Sequence, residues 1–251
     1  NISKTTLAIL THPEVIAIDQ DSAGIQGRRI RKNGDFETWA KPLGSSRGSD
    51  YDTYAVGLFN RSAATADMTV RWSDLGLDPS SVSVRDVWER KDLGVVRDAY
   101  TVSVPTHGLA LVKIKGRRDP SATTWLSDLH IHSTTNAWKF LGVDRSVAGN
   151  ALKIGNKSYA KGLGAHAASR TVVALRGKYA KFQSDIGIDA ETSSGSAVFQ
   201  VFGDGKKLYE SPVLKGGSAP VAIDVAVEGV DSLALVVTDA GDGNANDHAD
   251  W

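Results

Sequence analysis

The chain has 251 residues, which is enough for two ordinary domains of about 100 to 150 residues each. Its 29 basic residues balance 29 acidic residues, so it lacks the basic excess typical of nucleic-acid-binding proteins. It contains no cysteine, which excludes disulfides and a thiol nucleophile. No apolar run reaches the roughly 20 residues of a membrane span, and no signal peptide is recognisable. Because the chain starts without methionine, we expect both ends to be cuts.

The first 21 residues, "NISKTTLAILTHPEVIAIDQD", predict two short helices. Ser3 can accept a hydrogen bond at the start of the first helix. Pro13 fixes the backbone for the first turn of the second helix. The helical pattern ends near the glycines at positions 24 and 27.

The residues that follow show the alternation of a β-sheet. Tyr100, Val102 and Val104 alternate with Thr101 and Ser103, as in a strand with one face in water, and the same period recurs at Met68–Trp72. The segment "RRDPSATT" near residue 120 has the charge and proline of a linker.

A second β-rich block follows this linker. Val221, Ile223 and Val225 alternate with polar or small residues, as in a half-buried strand. The pair Asp204-Gly205 between two apolar runs predicts a hairpin. "SLALVVTDA" is nearly all apolar, which predicts a central strand. Repeated short strands separated by turns indicate a β-sandwich.

Residues 7–30, "LAILTHPEVIAIDQDSAGIQGRRI", resemble the end of the catalytic barrel in melibiase-type α-galactosidases of glycoside hydrolase family 27. Residues 28–116, which close with "PTHGLALVKIKG", resemble the C-terminal β-domain of those enzymes. The resemblance implies that both catalytic aspartates lie upstream of residue 1, in a barrel that would be the main partner of this chain. We therefore expect no catalytic residue here, in a parent that is a retaining α-galactosidase-like hydrolase.

The second block resembles a different family. "YAKGLGAHAASRTVVALRGKYAKFQSDIGIDAE", then "VFQVFGDGKKLYES" and the terminal "HADW", resemble the NPCBM-type carbohydrate-binding module, carbohydrate-binding module family 51. The resemblance implies a β-sandwich that binds galactose-containing oligosaccharides or polysaccharides. It also implies a secreted or extracellular protein, because such modules are appended to secreted glycosidases.

Together these patterns predict a mostly β chain. We expect residues 1–27 to be a remnant of a (β/α)₈ barrel with short helices, and residues 28–116 to be an antiparallel β-domain. Residues 117–121 would be a linker, and residues 122–251 a β-sandwich carbohydrate-binding module.

Asp19 and Asp21 are the two carboxylates that invite a catalytic interpretation. A retaining glycosidase needs two carboxyl groups about 5 Å apart at the strand ends of a barrel, and a barrel needs roughly 250 residues. We instead assign the pair to a turn, where aspartate accepts hydrogen bonds from backbone amides.

A sugar offers an apolar face and a rim of hydroxyls, so its site needs an aromatic ring and several polar groups. His166 in "GLGAHA" can serve there, or it can simply bond a neighbouring carbonyl. Trp251 and Trp125 can equally be core residues. The candidate carbohydrate-binding residues are Trp138, His166, Arg170, Asp189, Glu191, His248 and Trp251.

The segment "DAGDGNANDHADW" is unusually polar. Asp242, Asn244 and Asn246 have the alternate spacing of an EF-hand, but the required glycine and glutamate of that loop are missing. The loop can hold a structural calcium, order a glycan-binding loop or do neither. The candidate metal ligands are Asp242, Asn244 and Asp247. His130 and His132 share the spacing of zinc ligands, but no third ligand is suggested nearby.

Three functions follow from these observations. The first is a non-catalytic region of a glycosidase whose module targets the enzyme to galactose-type glycans. The second is part of an intact enzyme that hydrolyses α-galactosides or β-L-arabinopyranosides. The third is a structural spacer without sugar affinity.

Overall fold

The computed structural model describes residues 2–44 and 49–251. The chain divides into two compact units, residues 1–123 and residues 124–251. Within the described residues, no helix combines the length and apolar character that crossing a membrane requires.

The first unit opens with the two predicted helices, α1 (Lys4–Leu10) and α2 (Pro13–Asp19). Ser3 Oγ accepts a hydrogen bond from Thr6 N at 3.0 Å, which confirms the predicted cap. Neither helix contains a buried residue. Glu14 of α2 instead forms two hydrogen bonds with Arg85, at 2.9 and 2.6 Å.

The described residues that follow in this unit form eight strands and a 3₁₀ turn. The strands are β1 (Arg28–Asn33), β2 (Phe36–Leu43), β3 (Tyr51–Asn60), β4 (Ala66–Arg71), β5 (Leu77–Asp86), β6 (Lys91–Val96), β7 (Ala99–Val104) and β8 (Leu109–Arg118). Six pair in the order β1-β2-β3-β8-β5-β6, and β4 pairs with β7. Strand β8 ends at Arg118, so it includes the first two residues of the predicted linker. Trp72 begins a 3₁₀ turn instead of ending a strand, and its ring is fully buried.

The second unit has a short 3₁₀ helix, Leu126–Asp128, followed by strands joined by turns and loops. The strands are β9 (Ile131–Asn136), β10 (Gly142–Val143), β11 (Leu152–Ile154), β12 (Lys157–Tyr159), β13 (Leu163–His166), β14 (Ser169–Ala174), β15 (Lys181–Ile188), β16 (Ser196–Gly203), β17 (Lys206–Glu210), β18 (Leu214–Lys215), β19 (Val221–Ala226), β20 (Ser232–Thr238) and β21 (His248–Asp250).

Two sheets contain eleven of these strands, and β11 and β12 pair with each other separately. One has the order β10-β13-β21-β15-β19; the other has the order β17-β16-β20-β14-β9, with β18 also paired to β16. Strand β20 is central, as its apolar sequence predicts. Asp204 and Gly205 join β16 to β17 with φ angles of 48° and 83°, the geometry of a type I′ hairpin turn.

The core of the second unit draws side chains from both sheets. Ala165 and Ile186 from one sheet join Phe199 and Leu235 from the other, and each is at most 1% exposed. The burial of both inner faces is that of a β-sandwich, and the prediction of a mostly β chain is confirmed.

Candidate functional site

Three aromatic rings meet at one end of the second unit. Trp138 lies in the loop after β9, His166 ends β13 and His248 begins β21. The Trp138 and His248 rings stack with centroids 5.1 Å apart, and His166 lies 5.7 Å from Trp138 and 5.4 Å from His248. Because β13 and β21 pair with His166 opposite His248, the sheet register itself brings the two imidazoles together. We call these three residues the ring cluster.

Glu191 completes the cluster from the turn after β15. Its Oε1 lies 2.5 Å from Nδ1 of His248. Its Oε2 accepts hydrogen bonds from Ser146 Oγ at 2.7 Å and from Asn150 Nδ2 at 2.8 Å. Both carboxylate oxygens are therefore used, and the imidazole of His248 is fixed in orientation.

These contacts determine which nitrogen each histidine presents. Nδ1 of His166 lies 2.7 Å from the carbonyl oxygen of Ala167, which can only accept, so this nitrogen carries the hydrogen. Nδ1 of His248 carries a hydrogen for the same reason, because its partner Glu191 is a carboxylate. With Nδ1 carrying the hydrogen, Nε2 is the acceptor of the neutral form of each ring, suited to the hydroxyl of a ligand.

The pKa of Glu191 agrees with this arrangement. Burial raises it, but the hydrogen bonds from Asn150, Ser146 and His248 outweigh burial and hold the pKa below its usual value. Glu191 is thus ionised at neutral pH and can accept from all three partners.

Asp189 supports the ring cluster through hydrogen bonds to the backbone of neighbouring segments. It is 1% exposed, and its Oδ1 accepts a hydrogen bond from Glu191 N at 2.7 Å while Oδ2 accepts one from Lys153 N at 3.2 Å. Its own backbone N–H donates to the carbonyl oxygen of His248. Asp189 therefore shapes the turn that carries Glu191 and does not itself face solvent.

Asn136 is a residue of the site that the sequence analysis did not find. Its Oδ1 accepts from His166 N at 2.7 Å, and its Nδ2 donates to the Trp138 carbonyl at 2.6 Å. It thereby ties the Trp138 loop to β13. Ser146 and Asn150 were missed in the same way, because small polar residues in loops carry no distinctive sequence signal. The one signal for Asn136 is its place directly before "AWKF", at the end of a strand.

Arg170 and Trp251 lie apart from the ring cluster. Arg170 is exposed on β14, where its neighbours Ser169 and Thr171 are buried, so its side chain is on the outer face of the sheet. Trp251 is 8% exposed and its ring centroid lies 5.0 Å from that of Phe199, so it is a core residue and its faces are not free for a sugar.

The predicted metal ligands do not form a complete set. Asp242 accepts from Ser196 Oγ with both oxygens, and Asp247 Oδ1 accepts from Ser196 N at 2.7 Å. Asp247 Oδ2 is buried without a hydrogen-bond partner, and burial raises the pKa of this carboxyl. Across residues 2–44 and 49–251, no group of three or more His, Cys, Asp or Glu is arranged to hold a metal. The calcium site stays a prediction.

A cavity of about 290 Å³ lies elsewhere in this unit, lined mainly by apolar side chains such as Leu152, Phe182 and Trp251. Tyr159 and Lys157 at its edge are both bonded to Asp185. These polar groups already satisfy one another, so the cavity suits a sugar less well than the ring cluster does.

Residues 122–251, just over half of the chain, match the family model of the NPCBM/NEW2 domain. The chain belongs to this family. Residues 33–114 match the model of the alpha galactosidase C-terminal beta sandwich domain. The two matches confirm the family resemblances that the sequence analysis stated.

Similar proteins have been described in plants and bacteria. The chain is 37% identical over 119 residues to Alpha-galactosidase 2 of Arabidopsis thaliana, covering 47% of this chain and 28% of that protein. Over 51% of its length it is similar to a solved family 51 carbohydrate-binding module from a Clostridium perfringens family 95 hydrolase in complex with methyl-galactose, with 33% identity, a TM-score of 0.48 and 94% of that structure covered.

A second solved structure is similar over more of the chain. It holds the second family 51 module and the INT domains of Clostridium perfringens ZmpB, with 22% identity, a TM-score of 0.50, 89% of this chain covered and 42% of that structure. This likeness concerns the fold alone. The chain spans 28% of the length of the Arabidopsis relative, so it represents a minor part of such a protein.

Proposed function

We propose that the second unit binds terminal galactose residues of glycans at the ring cluster. The observation that supports this most strongly is the pair of neighbouring imidazole acceptors, Nε2 of His166 and Nε2 of His248, beside the indole of Trp138. Galactose presents several hydroxyl donors next to an apolar C–H face, which is the combination that such a site can satisfy.

Each residue of the site has a distinct part in this proposal. The two imidazoles accept hydrogen bonds from sugar hydroxyls, and Trp138, 41% exposed, offers apolar contact. Glu191 keeps His248 in one tautomer, and Asp189 holds the turn of Glu191. Because these contacts exist without ligand, little side-chain entropy is lost on binding.

The role of the chain follows from this binding. We propose that it performs no catalysis itself and that it belongs to a secreted α-galactosidase-like enzyme whose catalytic barrel lies upstream. A module that holds galactose-containing glycans raises the effective concentration of substrate near that barrel. The α-galactosidase relatives support galactose as the first sugar to test.

Isothermal titration of the 251-residue chain with methyl galactoside tests the proposal. We expect binding in the wild type and at least a tenfold loss of affinity in Trp138→Ala. The matched control is Trp125→Ala, which removes a tryptophan that is 56% exposed outside the ring cluster. Unchanged affinity in Trp138→Ala would refute the assigned site. A folded wild type that binds no galactoside would instead favour the spacer function.

A further inference from the structure

Phe140 is 92% exposed, more than any other large hydrophobic side chain in the described part of the chain. It lies two residues after Trp138, and Val143 in the same segment is also 41% exposed. Exposed apolar side chains beside a binding site are typical of a contact surface. They contribute little to the stability of the fold, but their burial against a ligand is favourable.

The segment that carries Phe140 is held in place. Nδ2 of Asn136 donates to the carbonyl oxygens of Trp138 and Lys139, and Oδ1 of Asn136 accepts from the backbone of His166. Phe140 directly follows the two anchored carbonyls. Its ring is therefore presented from a fixed position near the ring cluster and does not belong to a loose loop tip.

The faces of Trp138, by contrast, already have partners. Its ring stacks on His248 with an interplanar angle of 25°, and Nζ of Lys139 lies 4.2 Å from its centroid. A sugar that stacks on Trp138 must displace one of these groups or use the edge of the indole. The uncovered aromatic face next to the site is that of Phe140.

We propose that Phe140 stacks on the second sugar residue of a galactose-terminated glycan, the residue linked to the galactose in the ring cluster. This inference rests on the proposed function. The Cα atoms of residues 138 and 140 can be at most about 7 Å apart, which is the scale of one sugar unit. The ligand class is thus a galactosyl disaccharide or longer chain whose second residue turns an apolar face to Phe140.

The test compares a monosaccharide with disaccharides. Isothermal titration would use methyl galactoside and three galactosyl disaccharides, with α1,3, α1,4 and α1,6 linkages. We expect Phe140→Ala to weaken the best disaccharide about fivefold and to leave the affinity for methyl galactoside within twofold of wild type. Phe140→Trp should restore disaccharide affinity, because it restores an aromatic face.

The control is Val213→Ala, which removes an exposed apolar side chain, 47% exposed, from the same unit. It should change neither affinity. Equal weakening of both ligands in Phe140→Ala would overturn the inference, and so would unchanged affinity for every disaccharide. If wild-type protein binds disaccharides and methyl galactoside fails to bind Trp138→Ala, the proposed function stands independently of Phe140. A wild type that binds no galactoside refutes both.

Discussion

His248 Nδ1 lies 2.5 Å from Glu191 Oε1, and the other oxygen of the same carboxylate accepts hydrogen bonds from Ser146 and Asn150. One glutamate thus joins a loop, a turn and β21. The orientation of the His248 ring in the ring cluster depends on it, and both of its own oxygens are already occupied.

Glu191→Gln should therefore weaken galactoside binding about tenfold or more. The amide can accept with only one of its two ends, so either His248 or the Ser146–Asn150 pair loses its partner. Titration calorimetry gives the affinity, and thermal unfolding shows whether the variant is folded. Glu210→Gln is the matched control, because this exposed glutamate accepts hydrogen bonds from Lys207 and Gln200, outside the ring cluster. Equal losses in both variants would contradict the role of Glu191.

The lowered pKa of Glu191 predicts that the free energy of unfolding decreases at acidic pH. Its pKa in the folded protein is below the ordinary value of 4.5, so its contribution to the free energy of unfolding is complete above pH 4.5. That contribution is lost as the pH falls through the lowered pKa. Urea unfolding at pH 7, 5, 4 and 3 should show the difference between wild type and Glu191→Gln shrinking below pH 4.5. A difference that is constant over this range would refute the prediction.

The raised pKa of Asp250 predicts the opposite pH dependence of the free energy of unfolding. Burial raises its pKa to about 10 from 3.8, and the neighbouring carboxylates of Asp189 and Glu191 add to the shift. Between these two values the folded state holds a proton that the unfolded state releases, so the free energy of unfolding falls as the pH rises.

Asp250→Asn replaces this carboxyl group with an amide that does not ionise, so folding no longer requires a bound proton at this position. We expect the variant to exceed wild type in unfolding free energy by about 1 kcal/mol or more at pH 8, and by less at pH 5. Urea unfolding at the two pH values measures both differences. Asp224→Asn serves as control, since this exposed aspartate pairs with Lys181 and Gln183. A variant less stable than wild type at both pH values would contradict the assignment.

The first unit offers a prediction about helix α2. This helix buries no residue, and it is attached through two hydrogen bonds of Glu14 with Arg85 and through the contact of the His12 ring with Trp88. Glu14→Gln should speed amide hydrogen exchange in α2, with a loss of less than about 1 kcal/mol in global stability. Asp92→Asn, which removes the exposed second partner of Arg85, should leave exchange in α2 nearly unchanged. Equal exchange rates in the two variants would contradict this attachment.

Alternation of apolar and polar residues predicted strands β7 and β19, because one buried face imposes a period of two, and a nearly all-apolar run predicted β20. It failed at Trp72, where the apolar alternation of Met68 and Val70 continues into a 3₁₀ turn that buries the indole. Local sequence does not record which neighbour covers such a ring.

The sequence also predicted four residues that the structure brings together, Trp138, His166, Glu191 and His248, and a fifth, Asp189, that supports them. Aromatic, histidine and acidic residues close to glycines at the ends of strands give a recognisable sequence signal. Arg170 has the right chemistry but the wrong face of its strand, and Trp251 fills the core. Asn136, Ser146 and Asn150 act only through partners distant in sequence, which no single-sequence pattern shows.

Trp138 and His248 stack on each other although about 110 residues separate them in the chain. A contact between such distant positions forms only after the intervening strands have paired, since closing so long a loop early is entropically costly. A ligand that binds at the ring cluster would therefore recognise the completed sandwich and not a subset of it. Its binding energy should add to the cooperative unfolding transition of the entire module, which makes melting temperature a direct gauge of occupancy.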